Sequence, residues 1–530
     1  MENRARETNQ ISLILVNGKI FTADPSQPNV EAVAISGDRI IAVGASEEIV
    51  ALAQANTRRI DLQGHVAIPG INDAHYHSTD LTLGGHHLSF QSEEPSWQET
   101  QNALAEAAKH VPAGTWIFGT VGGIVIAEPA ATRFALDRIA PDHPVGLMQY
   151  AGAGYIVNTQ AMRTCQIAEE EPDPLGGHYE RVPGSRQVNG KVFGYAEYGL
   201  FRRLASRVPD ADHMKTMQAL AHAAVRYGVT SIQDMPFIAP DRYVKVVQAT
   251  PMSIRMRLIR FPLNTVDGRD LAEGRDLPLH PSGQPLLTVR GMKWILDGTP
   301  FEWGAVLRGT YRDRPGWSGR LNFSESEIAA MVQESLQWQD QLLLHCSGDR
   351  PVEVVFDAME KIQDVEWQAQ RVRIEHGDGV VSDLVPRARR LGVVVVQNPT
   401  HLSLVDLMRE RFGSDTPFFP LRSLLEAGVR LALGSDGPLN PYLNIMFAVL
   451  HPVHPAEAIT REQAVTAYTR GSAFAEFAEH EKGTIANGKL ADIAVLSQDI
   501  FTAPVDALPQ TESILTLVGG QVMYDAGALN

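Results

Sequence analysis

Six residues spread over about 360 positions are the ones whose types and spacing could do chemistry. They are His75 and His77 in DAHYHS, Lys293 in GMKWILDG, His345 in LLLHCSGDR, His376 in RIEHGD and Asp436 in ALGSDGP. Each lies at, or just past, the C-terminal end of a short apolar run that reads as a strand. Residues two apart on a strand share a face, so His75 and His77 point to one place. Neutral imidazole is a natural ligand for zinc and related metals. Asp436 can ligate too, and can take a proton from a water whose pKa a bound zinc lowers to about 7. A bare Lys293 ammonium would be repelled by such an ion. Burial and nearby positive charge depress a lysine pKa, and the neutral amine can take up carbon dioxide to give an anionic carbamate that bridges two metals. The alternative is an uncarboxylated Lys293 paired with Asp297 or Asp436. The expected cofactor is one or two divalent ions, zinc first. Two imidazoles on an apolar strand are costly unless bonded, which disfavours a purely structural His75 and His77.

A second tier of residues is less specific. His401 in QNPTH follows the seventh strand and could donate to a substrate carbonyl, and a plain loop histidine is the equal alternative. Trp303 and Trp317 stand in the Gly- and aromatic-rich segment 299–322, which reads as a cover over a pocket. Arg350 is a candidate for a substrate carboxylate, against the simpler reading of a helix-start ion pair with Asp349. His86 and His87 point apart if they lie on a regular element, and take a structural or rim role.

These residues need a scaffold that gathers strand ends. Between 66 and 477 the chain repeats strand, loop and helix: VAIPGIND, GVTSIQDM, SIRMRLIRF, LTVRGMKWILDG, QLLLHC, RVRIEHG, GVVVVQNP and VRLALGSDG. Several of these runs are continuously apolar, as strands buried on both faces are. Eight such units make a (β/α)8 barrel, an α/β TIM barrel with its active site at the strand C-termini. An insertion after the first strand, at about 90–205, carries strands and helices of its own. Residues 1–65 and 478–530 are rich in short alternating strands broken by NG, GD and QG turns, and read as one small β-sandwich assembled from the two ends of the chain.

Composition narrows the function classes. Lys+Arg number 46 against Asp+Glu 62, a net charge of −16, which argues against nucleic acid as a partner. Only Cys165 and Cys346 occur, so no disulfide framework is expected and a cytoplasmic, reducing setting fits. The opening MENRARETNQISLILVNGKIF has no signal-peptide pattern, and no run reaches the roughly 20 apolar residues of a membrane helix. A small-molecule substrate is expected, with no membrane partner; a homodimer is left open.

An ordered series of motifs resembles the amidohydrolase superfamily, specifically amidohydrolase family 3 and its N-substituted formamide deformylase-like branch. The series runs from NGKIFTAD and GDRIIAVG through PGINDAHYH, DPLGGHYER, GVTSIQDM and MKWILDG. It continues with LLLHCSGDR, RIEHGD, QNPTH, GSDGP and AVTAYTRGSA to GTIANGKLADIAVL. The resemblance implies that His75, His77, His345, His376 and Asp436 are ligands and Lys293 a carboxylated bridge. It also implies hydrolysis of an amide, formamide or other non-peptide C–N bond through metal-activated hydroxide. A deaminase, an ester or lactone hydrolase, a metal-free isomerase or lyase and a silent binding homologue are the rivals. The chain departs from the branch where Gly152-Ala153 stands in place of the usual Gly-His, and where GDRP replaces GDRA, with Pro351 suited to a first helical turn.

Overall fold

The computed structural model describes residues 10–79, 84–92, 94–150, 154–413 and 418–529; Gly152 and Ala153 lie outside them. Eight strands pair in chain order as one sheet: β1 (Ile71–Tyr76), β2 (Val229–Asp234), β3 (Arg255–Arg260), β4 (Leu287–Ile295), β5 (Leu342–Cys346), β6 (Arg373–His376), β7 (Val394–Gln397) and β8 (Arg430–Leu433). Every neighbouring pair is parallel. The sheet curls until its ends meet, where the Asp436 amide donates to the His75 carbonyl at 3.0 Å. All residues of β5, β6 and β7 are buried, which accounts for the unbroken apolar runs.

Helices on the outside follow their own sequence signals. The helix Glu325–Trp338 begins with a capping box: the Ser324 hydroxyl accepts from the Glu327 amide, and the Glu327 carboxylate accepts from the Ser324 amide at 2.7 Å. Such a cap contributes on the order of 1 kcal/mol. Ile328, Met331 and Val332 then fall on one face and are buried against the barrel. The helix Asp349–Glu360 carries Pro351 in its first turn, where no intrahelical amide bond is lost.

The two ends of the chain share one sheet. Lys19–Phe21, Asn29–Val30 and Val66–Pro69 pair with Ile493–Leu496, Ser513–Val518 and Gln521–Asp525 in six strands. A four-stranded sheet of N-terminal strands packs on it, with Leu15, Val33 and Ile35 against Ile493, Val495 and Leu517. VAIPGIND is not one barrel strand but two strands. Val66–Pro69 belongs to the sandwich and only Ile71–Tyr76 to the barrel. The break is at Gly70, where a Cβ would come within 2.2 Å of Thr230 Oγ1, so only glycine lets the chain cross β2 there.

The insertion after β1 folds as a six-stranded sheet beginning at His86–His87, whose side chains are exposed. Residues 299–322 are anchored rather than loose. Tyr311 is fully buried and donates to the Ala305 carbonyl at 2.6 Å, and Trp303 lies under Arg411, whose guanidinium carbon is 3.9 Å from the ring centre. Both segments hang over the C-terminal end of the barrel.

Candidate metal centre

The barrel delivers all six chemistry-bearing residues to one mouth. Asp436, just past β8, is the hub. Its Oδ1 lies 3.6 Å from His75 Nε2 and 3.5 Å from His77 Nε2, while its Oδ2 lies 3.8 Å from His376 Nδ1 and 3.6 Å from His401 Nε2. Two triads that could each hold an ion therefore share one carboxylate: His75, His77 and Asp436, and His376, His401 and Asp436. His345 joins them with its ring 4.3 Å from that of His376. Lys293 Nζ is 2.9 Å from His75 Nε2.

Backbone conformation aims two of these side chains. His376 and Asp436 adopt φ of 65° and 42°, in a left-handed region costly for non-glycine residues. Such strain is retained where surrounding packing over-determines it. Gly434 lets β8 approach β1 closely, since a Cβ there would meet the His75 backbone nitrogen at 2.5 Å.

Which nitrogen each histidine presents is set by what holds the other. His75 Nδ1 donates to Glu375 Oε2 at 2.6 Å, and His77 Nδ1 to the Met235 carbonyl at 2.6 Å, so both turn Nε2 toward the mouth. Glu375 is held in turn by the buried Arg373, which also donates to the Ala74 carbonyl at 2.6 Å and to the Gln233 side chain. Gln233 donates on to the Ser472 carbonyl at 3.0 Å. A carboxylate behind a ligand histidine fixes its tautomer and raises its basicity.

The donor set suits a divalent ion. Burial, reinforced by the Lys293 charge, lowers His77 and His345 to about 3, and burial alone lowers His401 to about 4. All three are therefore neutral, as ligands must be. The buried His376 Nδ1 has no hydrogen-bond partner among the described residues, an omission costly unless an ion fills it. Burial pushes Asp436 up and Lys293 down, each opposed by the other's charge. No ion pair joins Lys293 to Asp297 among the described residues. Asp297 instead accepts from the amides of Val306, Ser347 and Gly348, tying the 299–322 segment to the end of β5.

The mouth opens into a cavity of about 870 Å³ lined by His77, Lys293, His345, His376, His401 and Asp436 at its floor. Its walls include Tyr198, Phe237, Phe301, Trp303 and Trp317. His77, Phe237 and Tyr198 form a stack, with centroids 5.2 and 6.1 Å apart. Arg350 is not on the lining. It faces away and pairs with Glu325 at 2.5 Å and with Glu353, because its position in the first turn of Asp349–Glu360 directs it to solvent. Nor does it pair with Asp349, which takes Arg308 at 2.9 Å. Glu375 and Arg373 are not among the residues singled out from the sequence. Their signal was present in RIEH: two opposite charges two apart on an otherwise apolar strand must share one buried face and satisfy each other.

The model of the amidohydrolase family matches residues 58–524. "Protein LONG AFTER FAR-RED 3" of Arabidopsis thaliana is 27% identical over 97% of this chain and 91% of its own length. "N-substituted formamide deformylase" of Arthrobacter pascens is 24% identical over 98% of this chain and 99% of its own. A metal-dependent hydrolase of Pyrococcus horikoshii, known by its crystal structure, superposes with a TM-score of 0.72 at 21% identity, covering 93% of this chain and 99% of that one.

Proposed function

This chain belongs to the amidohydrolase family, and from that premise we propose that it is a metal-dependent hydrolase that cleaves a non-peptide amide or formamide C–N bond of a small molecule. The observation that carries the reading is Asp436 standing between two pairs of imidazoles at the floor of an aromatic cavity. His75, His77, His345, His376 and Asp436 would hold ions of the zinc type, which would supply an acidified water and a Lewis acid for the substrate carbonyl. Asp436 takes the proton of the attacking water and delivers it to the leaving nitrogen, one carboxylate serving as base and then acid. His401, on the same side of Asp436 as His376, donates to the carbonyl oxygen as negative charge develops there. The rings of Phe237, Phe301 and Trp303 exclude water and receive an apolar substituent on nitrogen. The name of the deformylase relative supports an N-substituted formamide as the first substrate to try.

Asp436→Asn is expected to lower kcat by about 10²–10⁴-fold on any amide turned over, since the amide side chain cannot take a proton. Product analysis on the wild type decides the bond: amine plus acid supports amide cleavage, whereas ammonia release, or turnover of esters alone, would replace it with a deaminase or an ester hydrolase.

Lys293 is proposed to carry an N6-carboxylate: the neutral Nζ attacks carbon dioxide, an N–C bond forms and the amine proton leaves to solvent. Burial of Nζ favours the neutral amine this requires. Incubation with isotopically labelled bicarbonate should produce a carbamate carbon resonance that Lys293→Met lacks. Its absence in metal-replete protein would leave Lys293 as a plain amine.

A further inference from the structure

The barrel end opposite the metal centre is built differently from the rest of this acidic chain. Arg430 begins β8 and is exposed, with its guanidinium carbon 4.8 Å from the centre of the Phe474 ring. On one side of it is a lobe of about 460 Å³ that also carries Arg470; on the other is a lobe of about 360 Å³ that carries Arg371 and Arg389. Arg430 and Phe474 line both lobes.

Only one of the four arginines is neutralised. Arg371 binds Glu479 at 2.6 and 2.8 Å and lies 3.7 Å over Phe474. No ion pair is found for Arg389, Arg430 or Arg470 among the described residues. The other carboxylate on the lining is Glu462. In a chain of net charge −16, three unpaired guanidiniums facing one cleft is the opposite of what the average surface would place there. Burial and then the charges of Arg470, Arg389 and Arg371 lower the Arg430 guanidinium against the opposing charge of Glu479, so these three cations stand close enough to act on Arg430. Arg470 stands on the π-helical turn Ala467–Gly471, a rare element frequent at functional sites.

We propose that this two-lobed cleft is a binding site for a small phosphate-type oxyanion, gripped by Arg430 together with Arg470 and Arg389. Guanidinium forks match such oxygens two at a time, and an anion between them removes their mutual repulsion. Two concave lobes of this volume hold a small molecule rather than a macromolecular surface. The overall negative charge disfavours a polyanion as large as nucleic acid. The site is separate from the metal centre because Arg430 starts β8 while Asp436 follows its end.

The test is equilibrium dialysis of the metal-loaded protein against radiolabelled inorganic phosphate, with chloride holding ionic strength constant. Phosphate could also settle at the metal centre, so His75→Ala/His77→Ala is measured alongside. The expected result is saturable binding of one phosphate per chain that survives in His75→Ala/His77→Ala and weakens about tenfold or more in Arg430→Gln/Arg470→Gln. Arg389→Gln, a milder change, should weaken it too and decides the matter if the double variant does not fold. Binding that vanishes in His75→Ala/His77→Ala, or that is undiminished in the arginine variants, or no saturable binding at all, would overturn the proposal.

Discussion

His75→Ala/His77→Ala is expected to purify with close to no bound divalent metal, while the wild type carries about one or two ions per chain, and to lose hydrolytic activity with them. His75 and His77 are two of the four imidazoles around Asp436, at 3.6 and 3.5 Å, and the nearby Asp73 of β1 is already engaged by the Ser435 amide and hydroxyl. Their removal also takes one donor from Glu375, which keeps Arg373, and takes the histidine donor from the Met235 carbonyl, so the pocket opens to water rather than closing around the ion. Metal content by plasma mass spectrometry on folded protein checks this. The activity loss should exceed the roughly 10²–10⁴-fold of a missing proton shuttle, because the Lewis acid and the acidified water go together. A folded wild type with near-zero metal after growth in zinc-supplemented medium would sink the proposed mechanism. A double variant that keeps its metal would instead move the ligand assignment to His345, His376 and His401.

The second large effect is on stability, and its source lies behind the ligands. Arg373 is fully buried and grips Glu375 through two nitrogens, at 2.7 and 3.1 Å, besides the Ala74 carbonyl and Gln233. Arg373→Met leaves the Glu375 carboxylate buried with only His75 beside it, which costs about 3–5 kcal/mol. Arg373→Lys should rescue little, because one ammonium cannot reproduce the fork. The Arg373→Met/Glu375→Leu pair should recover much of the lost stability, since an apolar pair of similar volume avoids the unpaired charge. The same pair should not recover metal affinity: Glu375→Gln alone is expected to weaken it by about 10–100-fold, as His75 loses the carboxylate that orients it. Calorimetric unfolding temperature and metal titration on these variants separate the two roles. Unchanged stability in Arg373→Met would overturn the stabilising role given to this buried pair.

Much of this was legible in the chain. Buried parallel strands must be continuously apolar, and a polar residue at the end of such a run must have a reason to be there. That rule picks out His75, His77, Lys293, His345, His376 and Asp436 without any coordinates, and the same periodicity implies the barrel that gathers them. Tertiary structure alone decided how they meet. No local pattern could say that Asp436 stands between both imidazole pairs, that His401 comes within 3.6 Å of it, or that Arg350 faces solvent, because loop and helix-start conformations answer to contacts far away in sequence. The division of VAIPGIND at Gly70 is of the same kind: the residues on both sides of the break, VAIP and Ile71, are apolar, and only the passage of Thr230 beneath it assigns half to the sandwich and half to the barrel. The Glu375, Arg373 and Gln233 support behind His75 is the clearest case. Its members come from β6 and β2 and satisfy one another inside the barrel, a constraint set by the low polarity of the interior and visible only once the strands are side by side.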